Sequence, residues 1–203
     1  MTWRCKSISN SHASPDPMSN PAESPARYHR AAIALHWLIA LALVAQLALG
    51  FRLEGIPRGV QQFDAFQWHK SLGITVLLLS LLRLALRIKL PRPAPVGEGL
   101  ARIAARGTHD LFYLVMIGAP LTGWALVSTA KIKLPTLLFG VLPWPHLPLG
   151  AWANEPAEAA HSALGWLLPA LIALHVGGAL WHHLQKDAVL ARMVPEGLNL
   201  NAA

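Results

Sequence analysis

The sequence predicts an all-α integral membrane protein, a bundle of four helices that cross a bilayer. Three observations carry this. Only 13% of the 203 residues are charged, about half the share of an ordinary soluble domain. The hydrophobic class reaches 54% in spite of 16 prolines, and mean hydropathy is +0.40. The apolar residues also gather in four continuous stretches, each with roughly the 17–25 residues that a helix needs to cross a hydrocarbon core. This composition excludes a disordered chain and an ordinary soluble enzyme. A single cysteine, Cys5, allows no internal disulfide.

Taken in order, residues 1–26 are polar and broken by Pro15, Pro17, Pro21 and Pro25. No apolar run follows Arg4 and Lys6, so the segment reads as a disordered tail and not as a cleaved signal peptide. Residues 27–195 form the four-helix domain, and 196–203 a short C-terminal tail. The first span runs from about Ala31 to Gly50, the second from Phe66 to Leu86, the third from Leu111 to Ser128, the fourth from Ala159 to Leu184. The runs are rich in Leu and Ala and do not alternate, which argues against strands. The connection at 131–158 holds five prolines. Its apolar runs are too short for a fifth span, and it reads as an ordered, partly interfacial loop. Trp37, Trp68, Trp124, Trp152 and Trp166 fit an interfacial aromatic belt.

Four spans put both termini on one side, and charge selects the side. Arg4, Lys6, Arg27, Arg30, Arg83, Arg87, Lys89, Arg92, Arg102, Arg106, Lys186 and Arg192 fall at the end that carries the termini. Arg52, Arg58, Lys70, Lys131 and Lys133 fall at the other. The excess of basic residues predicts cytoplasmic termini. It also accounts for the net charge of +7 without a nucleic acid, because the cations flank apolar segments.

Ten histidines are many for this length. Ionisable groups inside spans are costly and mark function by default. His36 in span one and His175 in span four lie in the cytoplasmic half. His69 in span two and His161 in span four lie towards the outer side. His161 and His175 are 14 residues apart, which is nearly four turns and about 21 Å along one helix face. That length excludes one ion bridging them. It suits two haems, one near each membrane face, with His36 and His175 on one iron and His69 and His161 on the other. Ala32, Ala40, Gly73, Gly165, Gly177 and Gly178 leave room for a macrocycle. Any one of these histidines read alone is equally a hydrogen-bonded polar group between helices. A zinc site is a weaker rival, since few carboxylates lie at these depths. His109 and His146 read as surface residues. His182 and His183 read as a cationic helix end, or as a proton or quinone contact beside the cytoplasmic-side haem.

The segments ALHWLIA at 34–40, FQWHKSLGI at 66–74, RLALRIKLPRP at 83–93, HDLFYLVMIGAPLTGW at 109–124, AAHSALGW at 159–166 and ALHVGGALWHH at 173–183 carry a resemblance. In this order and spacing the chain resembles the bacterial diheme cytochrome b561 family, and within it the superoxide oxidase type. The resemblance implies a multi-pass protein of the bacterial inner membrane with two haem b groups, held by His36/His175 and His69/His161. It implies that His182 lies at a quinone site, with Trp181 as an apolar wall. The expected activity is that of a superoxide:ubiquinone oxidoreductase. Arg52 and Lys70 near the outer face would concentrate the superoxide anion. A bis-histidine iron has no open position, which favours outer-sphere electron transfer. The rival expectation is an electron-transfer subunit that links quinone to a partner dehydrogenase, hydrogenase or periplasmic cytochrome. A haem-free structural bundle leaves the matched histidines unexplained.

Overall fold

The computed structural model describes residues 27–53, 55–91, 99–185 and 189–194. The expected tails at 1–26 and 196–203 lie outside the described residues, as do Arg4, Lys6, Arg92 and Lys186. Four helices dominate: α1 (Arg30–Leu53), α2 (Val60–Lys89), α3 (Gly99–Thr129) and α4 (Asn154–Leu184). All four are long and apolar enough to cross a membrane. The helices outrun the apolar stretches that announce them. The sequence placed the start of the second span at Phe66, whereas α2 begins at Val60 and takes in Gln61, Gln62 and Asp64. The third span was placed from Leu111, whereas α3 begins at Gly99. Hydropathy marks only the lipid-embedded part of a helix, and hydrogen bonding along the backbone continues beyond it. His69, His109 and His161 therefore sit well inside their helices and not at their first turns.

Consecutive helices pack against each other, α1 on α2, α2 on α3 and α3 on α4. Lipid tails are as apolar as leucine, so this packing rests on close contact and on hydrogen bonds between spans. Ile39, Leu43, Val76, Val115, Met116, Leu168 and Leu171 form one buried cluster drawn from all four helices. Val115 has no exposed surface, and Ile39 and Val76 have 2% each. In every helix these residues fall between the two histidine levels, so the cluster is an apolar waist. Two hydroxyls inside the spans turn back to their own helix: Thr75 Oγ1 donates to Ser71 O at 2.9 Å and Ser128 Oγ to Trp124 O at 2.7 Å. This satisfies them where no water can.

The two termini of the described chain meet at one end. Arg27 Nε donates to Ala191 O at 3.2 Å and its Nη2 to Val194 O at 3.2 Å. Trp37 Nε1 donates to Met193 O at 2.8 Å, so this tryptophan ties down the C-terminal segment besides lying near a span end.

The opposite end carries a feature the sequence reading omitted. Residues Thr136–Leu138 (β1) and Leu142–Trp144 (β2) form an antiparallel hairpin. Its turn is Phe139-Gly140, with φ of 51° and 76°, closed by Val141 N donating to Leu138 O at 3.1 Å. The register pairs Leu138 with Leu142, so the loop has three residues, Phe139-Gly140-Val141, and the two positive φ values turn the chain back within it. Glycine takes that conformation freely, and Phe139 is held in it by its surroundings. Its N–H donates to Ser71 Oγ at 2.9 Å and its ring meets Trp68 edge-on at 5.8 Å. Gln67, 6% exposed, pins β1 twice: its Nε2 donates to Pro135 O at 2.8 Å and its Oε1 accepts from Leu137 N at 3.0 Å. Gln67→Ala loses both bonds and strands a buried amide, at a cost of about 1–3 kcal/mol. Limited proteolysis should then cut within 131–150 at least about fivefold faster while the spans stay protected; an unchanged rate means that Gln67 does not hold the hairpin.

Candidate functional site

The structure gathers the inward histidines into two sets, one at each end of the waist. At the end that carries the termini, the His36 and His175 rings lie 6.0 Å apart between centroids, at 60°. At the hairpin end, His69 and His161 lie 6.1 Å apart, at 86°. The pairs join α1 to α4 and α2 to α4, helices that do not otherwise pack closely among the described residues. Two imidazoles on opposite sides of one metal, with bonds of about 2 Å each and half a ring width behind each nitrogen, have centroids about 6 Å apart. Both pairs meet that spacing.

His161 is the most completely prepared. Its Nδ1 donates to Ala119 O at 2.9 Å, with Thr122 Oγ1 at 3.5 Å. That bond puts the proton on Nδ1 and leaves Nε2 with its lone pair, the tautomer a metal-binding imidazole requires. The cradle is the segment Ala119-Pro120-Leu121-Thr122-Gly123 of α3. Pro120 interrupts the helix from within, and a proline there removes one ladder bond and bends the axis. Gly123 lets the ring come close. A Cβ at that position would stand 2.9 Å from His161 Cε1 and 3.1 Å from Nδ1, nearer than real contacts allow. Gly50 of α1 plays a milder part, since a Cβ there would meet His69 Cε1 at 3.4 Å. These two glycines are the ones that serve the rings. Gly165, Gly177 and Gly178, which the sequence reading named, have nothing within 4 Å of such a Cβ, and Gly73 faces Gln46.

His69 meets Gln46, whose Nε2 lies 3.1 Å from His69 Nε2. Gln46 Oε1 and His69 Nδ1 are buried without partners. Unpaired polar atoms inside a membrane bundle are expensive, and their presence beside the ring pair fits a place built for a polar or metal-bearing group. The sequence reading passed over Gln46, although an amide inside an apolar span is a signal of the same kind as an intramembrane histidine.

The His36 level is more crowded and more basic. Arg83 of α2 donates from Nη1 to His36 Nδ1 at 3.0 Å. The sequence reading counted Arg83 only among the cations between spans two and three; it lies within α2 and reaches the ring. His109 is exposed, as the sequence suggests, yet its ring lies 5.6 Å from that of His175, and Phe112 lies 5.4 Å from the same ring. Arg87 donates to Asp110 Oδ1 at 3.4 Å and lies 5.2 Å from the centre of the Tyr113 ring.

The remaining predicted residues are more peripheral. Lys70 is half-buried and donates to Pro135 O at 3.3 Å, so it contributes to holding the hairpin. Arg52 is exposed at the end of α1. His182 is half-buried near the end of α4, two turns beyond His175. Trp181 is 64% exposed, so a wall made from it belongs to the outer surface of the bundle.

Four spanning helices with histidines paired across them at two levels are the design of a membrane-embedded b-type cytochrome. The model of the prokaryotic cytochrome b561 family matches residues 27–196. The chain is 32% identical over 180 residues to cytochrome b561 homolog 2 of Escherichia coli, covering 84% of this chain and 93% of the relative. It is 31% identical over 176 residues to cytochrome b561 homolog 1 of the same species, covering 83% and 97%. It is 29% identical over 182 residues to the probable superoxide oxidase CybB of Yersinia pestis, covering 84% and 97%. The chain belongs to the prokaryotic cytochrome b561 family. It is a haem-binding electron-transfer protein and oxidoreductase, multi-pass in the bacterial inner membrane.

If the ring pairs are ligand pairs, the protein binds two haems, and variants fall into two classes. His36→Ala and His175→Ala should lose one haem, and His69→Ala and His161→Ala the other, each retaining about half the pyridine haemochrome of the wild type. Identical spectra for His36→Ala and His69→Ala would break the pairing.

Proposed function

We propose that the protein is a diheme superoxide:ubiquinone oxidoreductase with its termini in the cytoplasm. His36 and His175 hold one haem b and His69 and His161 the other. The observation that carries this reading is the pair of imidazole couples, 6.0 and 6.1 Å apart, on either side of an apolar waist. When bound, the haems supply one-electron carriers at both membrane faces. The Ala119 carbonyl and Gly123 keep the His161 ring turned and its Nε2 bare.

Lys70 and Arg52 are at the outer end in this orientation. Their charge raises the local concentration of a small anion. His182 is at the cytoplasmic end of α4, where its ring can donate a hydrogen bond to a quinone oxygen and pass it a proton. Trp181 offers that ligand an apolar surface reached from the lipid. The overall balance is two superoxide ions oxidised to two molecules of dioxygen, while one ubiquinone takes up two electrons and two protons. The 29% identity to a probable superoxide oxidase supports the choice of donor.

A second reading, an electron-transfer subunit serving a partner redox protein, draws support from the hairpin tip. Phe139, Val141 and Leu142 are all exposed there, and apolar patches of this kind mark contact surfaces.

A superoxide pulse delivered to the purified protein in a stopped-flow cell, with and without ubiquinone, decides between them. The oxidoreductase shows rapid haem reduction followed by quinone-dependent reoxidation. Lys70→Glu and Arg52→Glu should slow the first phase, about tenfold at low salt and less at high salt. His182→Ala should leave that phase intact and slow the second. No reduction by superoxide at any salt concentration rejects this activity in favour of the partner-linked reading. Loss of a haem from His182→Ala would instead make that residue a ligand or its support.

A further inference from the structure

The contact between Arg83 and His36 has a chemical restriction built into it. A guanidinium only donates, so in the 3.0 Å bond from Nη1 the His36 Nδ1 is the acceptor. A neutral imidazole that accepts at Nδ1 carries its proton on Nε2. An imidazole that binds a metal through Nε2 has that nitrogen bare and its proton on Nδ1. The bond to Arg83 and ligation through Nε2 therefore exclude each other. The pairing is unlike that of His161, where a carbonyl acceptor sets the ligating tautomer.

A guanidinium turned away from His36 needs another acceptor. Arg83 is half-buried within a spanning helix, where a cation without an anionic partner is costly. Among the described residues Asp110 is the acid at this level, and it accepts from Arg87. Tyr113 offers Arg83 a neutral hydrogen-bond partner. Among the described residues, the guanidinium groups of Arg83 and Arg87 here face the single carboxylate of Asp110. The hairpin-end pair is set differently, among the neutral groups of Gln46, Thr122 and the Ala119 carbonyl.

We propose that Arg83 is the anion-binding residue of the His36/His175 site, and that it pairs with a carboxylate carried by the haem itself, so that seating the haem and freeing His36 Nδ1 are one event. This rests on the reading of His36 as a haem ligand. Charge-assisted bonds between guanidinium and carboxylate are strong and directional. Such a pairing would help Arg83 hold the haem at this level. An arginine that merely flanked the membrane would have no need to reach a ring nitrogen.

The test uses the full-length protein, loaded either with protohaem or with its dimethyl ester, which lacks both carboxylates. Haem content is measured first. Each preparation is then mixed with excess soluble haem-scavenging apoprotein, and loss of the haem missing from His36→Ala is followed optically. The expected result is that Arg83→Gln loses that haem at least about tenfold faster than the wild type, with Arg83→Lys between them. The haem at the His69/His161 level should be retained equally in all, which also reports on folding. The wild type loaded with the ester should lose it as fast as Arg83→Gln loses protohaem, and esterification should make little difference to Arg83→Gln. Equal retention by wild type and Arg83→Gln, or an ester effect as large in the variant as in the wild type, overturns the proposal. Should Arg83→Gln hold neither haem, the wild-type comparison decides: equal retention of protohaem and ester rejects the pairing. Fewer than two haems in the wild type rejects the diheme reading itself, a result distinct from two haems without coupling to Arg83.

Discussion

An imidazole placed inside a bilayer must find its partner at its own depth. Water is absent, and an unsatisfied ring nitrogen is costly there. The architecture follows from that constraint. Each inward histidine has a counterpart on another helix at the same level, and each level has its own supporting groups. Between the levels the four helices meet in aliphatic side chains. The waist packs closely because Ile39, Val76 and Val115 are almost fully enclosed. At each end, imidazole rings of different helices face each other, His36 with His175 and His69 with His161.

The two levels solve the problem differently. At the hairpin end, α3 is reshaped around His161 by Pro120 and opened by Gly123, and a backbone carbonyl turns the ring. At the other end, rings and cations crowd together, with His109 and Phe112 against His175 and Arg83 against His36. A positive environment favours the reduced form of a nearby redox centre and a neutral one does so less. The bundle is thus electrostatically directional even though its histidine pairs have nearly the same spacing.

Much of this was legible in the sequence. Length and apolarity reveal spans, and a histidine at a known depth in a span can be matched to another by counting. That arithmetic found both ring pairs, because a helix converts residue number into height with little error. It failed wherever the answer depended on rotation or on a distant partner. Which glycine lets a ring come close depends on how α3 is turned, so Gly123 is not evident from the sequence, whereas Gly165, Gly177 and Gly178 do leave the open space expected of them. Hydropathy reads charge as the end of a span and so places Arg83 among flanking cations, whereas its stem runs along the helix and its head reaches His36. The hairpin strands are three residues long, and the bonds that anchor the hairpin to α2 come from Gln67 and Ser71. Nothing local in 136–144 announces such anchors.

The waist has a consequence for charge movement. Between the histidine levels the buried cluster is apolar and the buried Ser80 hydroxyl has no hydrogen-bond partner, so the described side chains there form no continuous path along which a proton can hop. Electrons can pass a dry barrier by tunnelling; hydrons need a continuous hydrogen-bonded wire. In the proposed reading, a reaction at one face that consumes protons takes them from the solution on that face. Under the proposed two-haem reading the fold would separate charge as it works, and a transmembrane voltage of 100 mV would oppose or assist a full crossing by about 2.3 kcal/mol per electron. The membrane potential is in this sense a reactant, admitted by a layer of isoleucine, leucine, valine and methionine.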